Sequence, residues 1–224
     1  MFYLVKSSWL MKRLFPDRVW EINTDRKAMY LSFDDGPHPV ITGNILDILK
    51  SHHAKATFFC IGKNVQAHPE VYRRIIEEGH SVGNHTQDHL NGWKTPDAVY
   101  LENIEQAKRY IDSPFFRPPY GRISSFQQKQ LAKERFKLTT VMWSVLSGDF
   151  DQSITPQKCL DNVLLNAKAG SIVVFHDSEK AATNVEFALP EVLKYFTAKG
   201  FVFEAITPGV LQKRWAWVET LARF

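Results

Sequence analysis

The sequence predicts an α/β fold with a parallel sheet covered by helices, either a barrel or a doubly wound sheet. Seven apolar runs read as strands, at 28–33, 55–61, 80–83, 114–117, 138–143, 171–176 and 201–206. Helix-like segments separate them, at 40–52, 69–78, 95–112, 124–134, 155–168 and 186–199. The 224 residues are 44% hydrophobic and 13% aromatic, enough for one sizeable core, and α/β barrels of this length are commonly one domain.

Along the chain, residues 1–27 form a lead-in that packs on the domain. The first strand, Ala28-Met29-Tyr30-Leu31, runs into Ser32-Phe33-Asp34-Asp35-Gly36-Pro37, where Gly and Pro force a turn. Ile41, Ile45, Ile48 and Leu49 share one face of the first helix at spacings of three and four. Pro69 suits a helix first turn, and Gly79 suits the cap after Ile75-Ile76-Glu77-Glu78. Gly170 and Gly200 are expected to end later helices in the same way. The domain is expected to span 28–207, with a C-terminal helix over 208–224 built on Leu211, Trp215, Trp217, Val218 and Leu221. No repeat, linker or low-complexity stretch interrupts it.

A net charge of +4, dispersed along the chain, argues against a nucleic-acid partner; Lys12-Arg13 and Arg73-Arg74 read as solvated faces. Cys60 and Cys159 sit among apolar residues and read as buried reduced thiols. Lys6, Lys12 and Arg13 interrupt the opening residues before they reach signal-peptide length. No segment approaches the roughly 18 uncharged apolar residues of a transmembrane span. On sequence the protein reads as cytoplasmic, with envelope association left open. Residues 1–20 mix Phe2, Leu4, Trp9, Leu10, Met11, Leu14, Phe15 and Trp20 with Lys and Arg, so weak membrane-surface contact is an alternative to packing.

Polar residues gather at the strand ends. Asp34-Asp35 follow the first strand, His85 and His89 the third, Arg117 ends the fourth, Asp149 follows the fifth, and His176-Asp177 end the sixth. In parallel α/β folds that rim is where functional residues collect. Adjacent carboxylates raise one another's pKa unless a cation compensates, and neighbours on an extended segment point apart. Asp34 and Asp35 therefore suit two jobs, a base and a metal ligand; alone, they also fit a polar turn. His85-Thr86-Gln87-Asp88-His89 puts two imidazoles four apart, and on a helical turn both reach one metal ion. With Asp35 they make a His₂Asp set that leaves positions open for water and substrate. Arg117-Pro118-Pro119-Tyr120-Gly121 is a stiff loop whose Arg can hold a carboxylate ionised and whose Tyr120 N–H can face an oxyanion, or a plain Pro-rich turn. His176, after Ile172-Val173-Val174-Phe175, is placed for acid–base chemistry or merely caps a strand. His68 and His80 read as bystanders, while His38, which follows Asp35-Gly36-Pro37, is placed to lie near the site.

These four motifs, in this order over roughly residues 28–206, resemble the NodB-homology polysaccharide deacetylases, carbohydrate esterase family 4. The resemblance implies a distorted (β/α) barrel of about seven parallel strands. It implies removal of N-acetyl, sometimes O-acetyl, groups from glycans such as chitooligosaccharide or peptidoglycan. It assigns Asp34 as general base, Asp35, His85 and His89 as ligands of a divalent metal (Zn²⁺, or Co²⁺ or Ni²⁺), and Arg117 as the partner of Asp34. It assigns the Tyr120 N–H to the oxyanion and His176 to the leaving amine. Trp143 and Phe150 would line an acyl or sugar pocket, or pack in the core. One motif departs: the family's Asp-x-x-Asp-Trp is Leu146-Ser147-Gly148-Asp149-Phe150 here. Leu146 stands where an acidic partner of His176 is expected, so either Asp149 substitutes from a shifted loop or His176 titrates with less help. A carbohydrate-binding relic of the fold and a metal-dependent amidase on a non-glycan amide are the rival readings.

Overall fold

A computed structural model describes residues 3–211. Strand β1 (Ala28–Asp34) is buried along its whole length and forms the centre of a curled half-barrel. Around it lie β2 (Ala56–Cys60), β3 (Ser81–Asn84), β4 (Phe115–Phe116), β5 (Thr139–Thr140), β6 (Val145–Leu146) and β7 (Ile172–His176), in the order β5-β4-β3-β2-β1-β7-β6. Their pairings are all parallel. A short β8 (Val202–Phe203) pairs the start of β1 at Ala28 and Met29, before β2 takes over at Leu31. The helices are α1 (Trp9–Leu14), α2 (Ile41–Ser51), α3 (Gly62–Ala67), α4 (Pro69–Glu77), α5 (Asp97–Ala107), α6 (Ser125–Leu131), α7 (Pro156–Leu164) and α8 (Ala182–Ala198), with a 3₁₀ turn at Pro119–Gly121. No helix among the described residues is long and apolar enough to cross a membrane.

The two-residue period of the strands sorts side chains between two layers. Met29, Leu31 and Phe33 of β1, with Phe58 of β2 and Val173 and Phe175 of β7, pack outward with Ile45 and Leu49 of α2 and Leu189 and Val192 of α8. Ala28, Tyr30, Phe59 and Ile172 point inward with Val19, Ile22 and Val141. Burial on both faces explains why these strands read as continuous apolar runs. Alternation leaves Ser32, Asp34 and His176 on the inward face, and register pairs Asp34 with His176 across β1 and β7. The lead-in lies along the two end strands of the sheet, β5 and β6: Val19 N–H donates to the Thr140 carbonyl, Met142 N–H to that of Val19, and Leu146 N–H to that of Val5.

Several local expectations are corrected. The predicted strand over 138–143 shrinks to β5 at Thr139–Thr140, because the Val141 and Met142 carbonyls accept hydrogen bonds from the Arg117 guanidinium, and the unpredicted β6 follows beyond it, where the chain pairs with β7. Helices α1 and α3 fall in stretches for which no helix is predicted, and α8 starts four residues before its predicted 186. Gly79 and Gly200 do follow helices with φ of 78° each, whereas Gly170 (φ 79°) sits in the turn into β7, five residues beyond the α7 C-cap at Leu165. Residues 208–211 are helical, and the remainder of the predicted C-terminal helix lies outside the described residues. Cys60 and Cys159 are free and buried.

Candidate active site

The two aspartates that end β1 have different surroundings. Asp34 continues the inward face begun by Ser32, and both meet Arg117. The Arg117 Nη1 donates to Asp34 Oδ1 at 2.6 Å and to Ser32 Oγ at 2.8 Å. Its Nε and Nη2 donate to the carbonyls of Val141 at 3.1 Å and Met142 at 3.0 Å. The guanidinium lies 4.0 Å over the Phe59 ring. A fully buried cation with its donors used in this way is a fixed counter-charge for Asp34.

Asp35 turns away with a left-handed backbone (φ 88°), its carbonyl held by Asn64 Nδ2 at 2.7 Å. Its Oδ1 is buried without a hydrogen-bond partner, yet stands 3.1 Å from His89 Nε2 and 3.7 Å from His85 Nε2. Burial alone would raise this carboxyl; the imidazoles of His89, His176 and His85 overcome that and hold it below the usual carboxylate range. One ligand atom from each of Asp35, His85 and His89 lies within 4.8 Å of the others. His85 Nδ1 donates to the Arg117 carbonyl at 2.7 Å, which leaves Nε2 as the lone-pair nitrogen facing Asp35. Burial, which outweighs Asp34 and Asp35, lowers the His85 pKa to about 4, so the ring is neutral. His89 Nδ1 is 3.1 Å from the Tyr120 hydroxyl. A bare buried oxygen and two oriented imidazoles are the donor set that a divalent cation takes.

The two histidines do not share a helical turn, as their spacing suggests. Residues 85–90 form a loop, and left-handed backbones at Thr86 (φ 65°) and His89 (φ 59°) bring the rings together at 5.1 Å. Thr86 N–H is tied to Asn84 Oδ1 at 2.8 Å, and Gln87 and Asp88 N–H groups both donate to Asn103 Oδ1 at 3.0 Å. Tyr120 (φ 59°) also has this conformation. Such backbone costs about 1–3 kcal/mol per residue and clusters where function over-determines geometry.

The partner left open for His176 is Asp149. Its Oδ1 accepts from His176 Nδ1 at 2.8 Å and its Oδ2 from His176 N at 2.6 Å. Gly148 (φ 80°) supplies the turn that returns Asp149 under the imidazole, while Leu146 is buried in β6. Burial alone would lower the His176 pKa; Asp149, then Asp35 and Asp34, outweigh it and raise it. Phe150 packs edge-on against the His176 ring at 5.1 Å. Trp143 is half-buried beside Gly121, where an added Cβ would meet the indole at 2.8 Å. Tyr120 is 57% exposed, and its N–H has no acceptor among the described residues.

Asp177 is a positioning group that sequence reading left without a role. Its Oδ1 accepts from Gly36 N at 2.7 Å, its Oδ2 from Thr42 Oγ1 at 2.6 Å, and its own N–H donates to the Asp34 carbonyl at 3.0 Å. A Cβ on Gly36 would lie 1.8 Å from Asp177 Oδ2, so only glycine lets the turn approach this closely. Asn64, Ser32 and Asn103 were also missed; Ser32 alone carried a signal, a polar residue inside an apolar run.

A curled parallel sheet with a carboxylate–histidine rim defines a hydrolase-like α/β half-barrel. Residues 21–138 match the family model described as polysaccharide deacetylase. The chain is 31% identical over 194 residues to a peptidoglycan-N-acetylglucosamine deacetylase of Bacillus cereus, covering 84% of this chain and 90% of that protein. It is 31% identical over 203 residues to a chitooligosaccharide deacetylase of Azorhizobium caulinodans, covering 83% and 95%. The crystal structure of a peptidoglycan N-acetylglucosamine deacetylase matches with a TM-score of 0.77 at 32% identity, over 85% of this chain and 91% of that one. The chain belongs to the polysaccharide deacetylase family.

Proposed function

We propose that this protein removes N-acetyl or O-acetyl groups from an amino-sugar-containing glycan, such as peptidoglycan or a chitooligosaccharide, with a divalent metal held by Asp35, His85 and His89. The observation that carries the reading is the divided pair: Asp34 locked to buried Arg117, Asp35 presenting a bare oxygen to two imidazoles. The substrate class follows from the family and its relatives.

A bound zinc, or cobalt or nickel, supplies Lewis acidity, which polarises the acetyl carbonyl and lowers the pKa of water. Asp34, paired with the buried Arg117, takes the proton from the attacking water. As the carbonyl carbon becomes tetrahedral, charge gathers on its oxygen, and the Tyr120 N–H is the donor for it. Losing one such donor costs about 2.7–4 kcal/mol. An amine leaves only when protonated. His176 holds its Nδ1 proton on Asp149 and delivers the Nε2 proton to the leaving nitrogen. Tyr120, Trp143 and Phe150 line the substrate side, with Phe150 shielding the imidazole.

The test is acetate release from N-acetylglucosamine oligomers and peptidoglycan by the zinc- or cobalt-loaded protein. Release that disappears in Asp34→Asn is expected. No release from any acetylated glycan, with metal bound, overturns the reading; glycan binding without release would make the chain a carbohydrate-binding relic.

A further inference from the structure

Beyond the residues placed in the reaction, one exposed pair lies next to them. Trp93 follows His89 by four residues and is 63% exposed. Its indole is fixed: Nε1 donates to the Ile123 carbonyl at 3.1 Å, and its backbone N–H to Asn91 Oδ1 at 3.0 Å. The Arg122 guanidinium stacks over the ring at 4.2 Å. Arg122 is exposed and has no acidic partner among the described residues.

The two loops that carry the pair are built as one body. Gly92 lies so close to the facing loop that a Cβ would meet the Arg122 carbonyl at 2.5 Å. Gln127 bridges them, its Nε2 donating to the Gly92 carbonyl at 2.8 Å and its Oε1 accepting from Ser124 N at 2.9 Å. Both loops also carry the site: His89 on one, Tyr120 on the other, with rings 4.6 Å apart. Trp93 and Arg122 therefore stand on the same rigid support as the His89–Tyr120 side of the reaction centre.

We propose that Trp93 and Arg122 form a glycan subsite flanking the reacting sugar, in which the open part of the indole takes the apolar face of a neighbouring ring and Arg122 takes a carboxylate on the same glycan. An aromatic face of this kind supplies apolar contact at low entropy cost, and an oriented guanidinium matches a carboxylate bidentately. The subsite makes carboxylate-bearing strands of the peptidoglycan type preferred over neutral chitooligosaccharides. It rests on the glycan-deacetylase reading and narrows its substrate.

The experiment compares the zinc-loaded full chain with Arg122→Gln, Arg122→Lys, Trp93→Ala and Trp93→Phe on two substrates. One is a neutral N-acetylglucosamine oligomer and the other a peptidoglycan fragment with free carboxylates. Arg122→Gln is expected to raise KM for the acidic fragment by roughly tenfold, the lower end for a charge-assisted contact, with kcat and the neutral oligomer unchanged. Arg122→Lys recovers part of the loss, and added salt shrinks it. Trp93→Ala raises KM for both substrates and Trp93→Phe recovers most of it. Equal effects of Arg122→Gln on both substrates, or on neither, overturn the subsite while acetate release continues. If the parent protein releases acetate from neither, the deacetylase reading falls, and calorimetric affinities of the same variants for the same saccharides decide the subsite: discrimination lost in Arg122→Gln supports it, and its absence in the parent overturns it.

Discussion

Replacing Asp149 by Asn removes one charge and keeps the shape, and its consequences separate an acid from a spectator at His176. Asp149 accepts from His176 Nδ1 at 2.8 Å, Ser147 Oγ at 2.9 Å and Phe150 N at 3.0 Å on one oxygen, and from His176 N at 2.6 Å on the other. If the amide oxygen stays on Nδ1, the amide NH₂ must face the His176 N–H. That strands a buried donor and costs about 1–3 kcal/mol of stability. Breaking a buried ion pair from one side costs about 3–5 kcal/mol. The surviving hydrogen bond argues for the lower end, about 3 kcal/mol, which at about 1.36 kcal/mol per pH unit is roughly two units. The sign follows from the role. A general acid works while protonated, so activity fades as pH rises through its folded-state pKa. Asp149 is the largest of the groups that raise that value against burial, so removing it lowers the value. In kcat/KM profiles for acetate release, Asp149→Asn should move the alkaline limb down by roughly two pH units and lower the plateau by about 10²–10⁴. An unmoved limb with near-parental turnover refutes the acid role of His176.

Asp34→Asn should abolish acetate release while zinc content by plasma emission persists; loss of metal instead would exchange the roles of Asp34 and Asp35. The same change leaves the buried Arg117 charge unpaired, and urea titration should register a loss of about 3–5 kcal/mol. Gly36→Ala forces a methyl into Asp177 Oδ2 and should cost more than about 3 kcal/mol in the same titration, with an unchanged midpoint contradicting the close turn. Burial raises the Asp177 carboxyl to about 7, against the hydrogen bonds from Thr42 and Gly36. Its unfolded value is about 3.9, so between those pH values only the folded state holds the proton, and stability falls as pH rises from about 4 to about 7. Asp177→Asn lacks this slope. The stability gap between parent and variant should therefore shrink over that window, and a constant gap would count against a buried protonated Asp177.

How much of this was legible depends on whether the signal is local. β1 was readable because a strand buried on both faces is an unbroken apolar run, and Asp34-Asp35 stood out at its end. The residue types at 35, 85 and 89 pointed to a metal, but their geometry was misread. A four-residue spacing suggests a helix, whereas non-glycine left-handed backbone at Thr86 and His89 leaves no mark in sequence. Asp149 was legible only as one of two alternatives: position counting puts the acidic partner at 146, and the Gly148 turn moves it three residues on. Ser32 and Asp177 act through partners 85 and 141 residues away, at distances no periodicity reports. The break between β5 and β6 has the same origin, since it depends on carbonyls bound by the Arg117 side chain.

The central claim is that Asp35, His85 and His89 hold the metal on which acetate release depends. Calorimetric zinc titration of the metal-stripped protein, run beside acetate release from N-acetylglucosamine oligomers, tests it most directly. One zinc per chain, restored activity on loading, and loss of both in Asp35→Asn with the fold intact are predicted. Undiminished zinc binding and turnover in Asp35→Asn would contradict it.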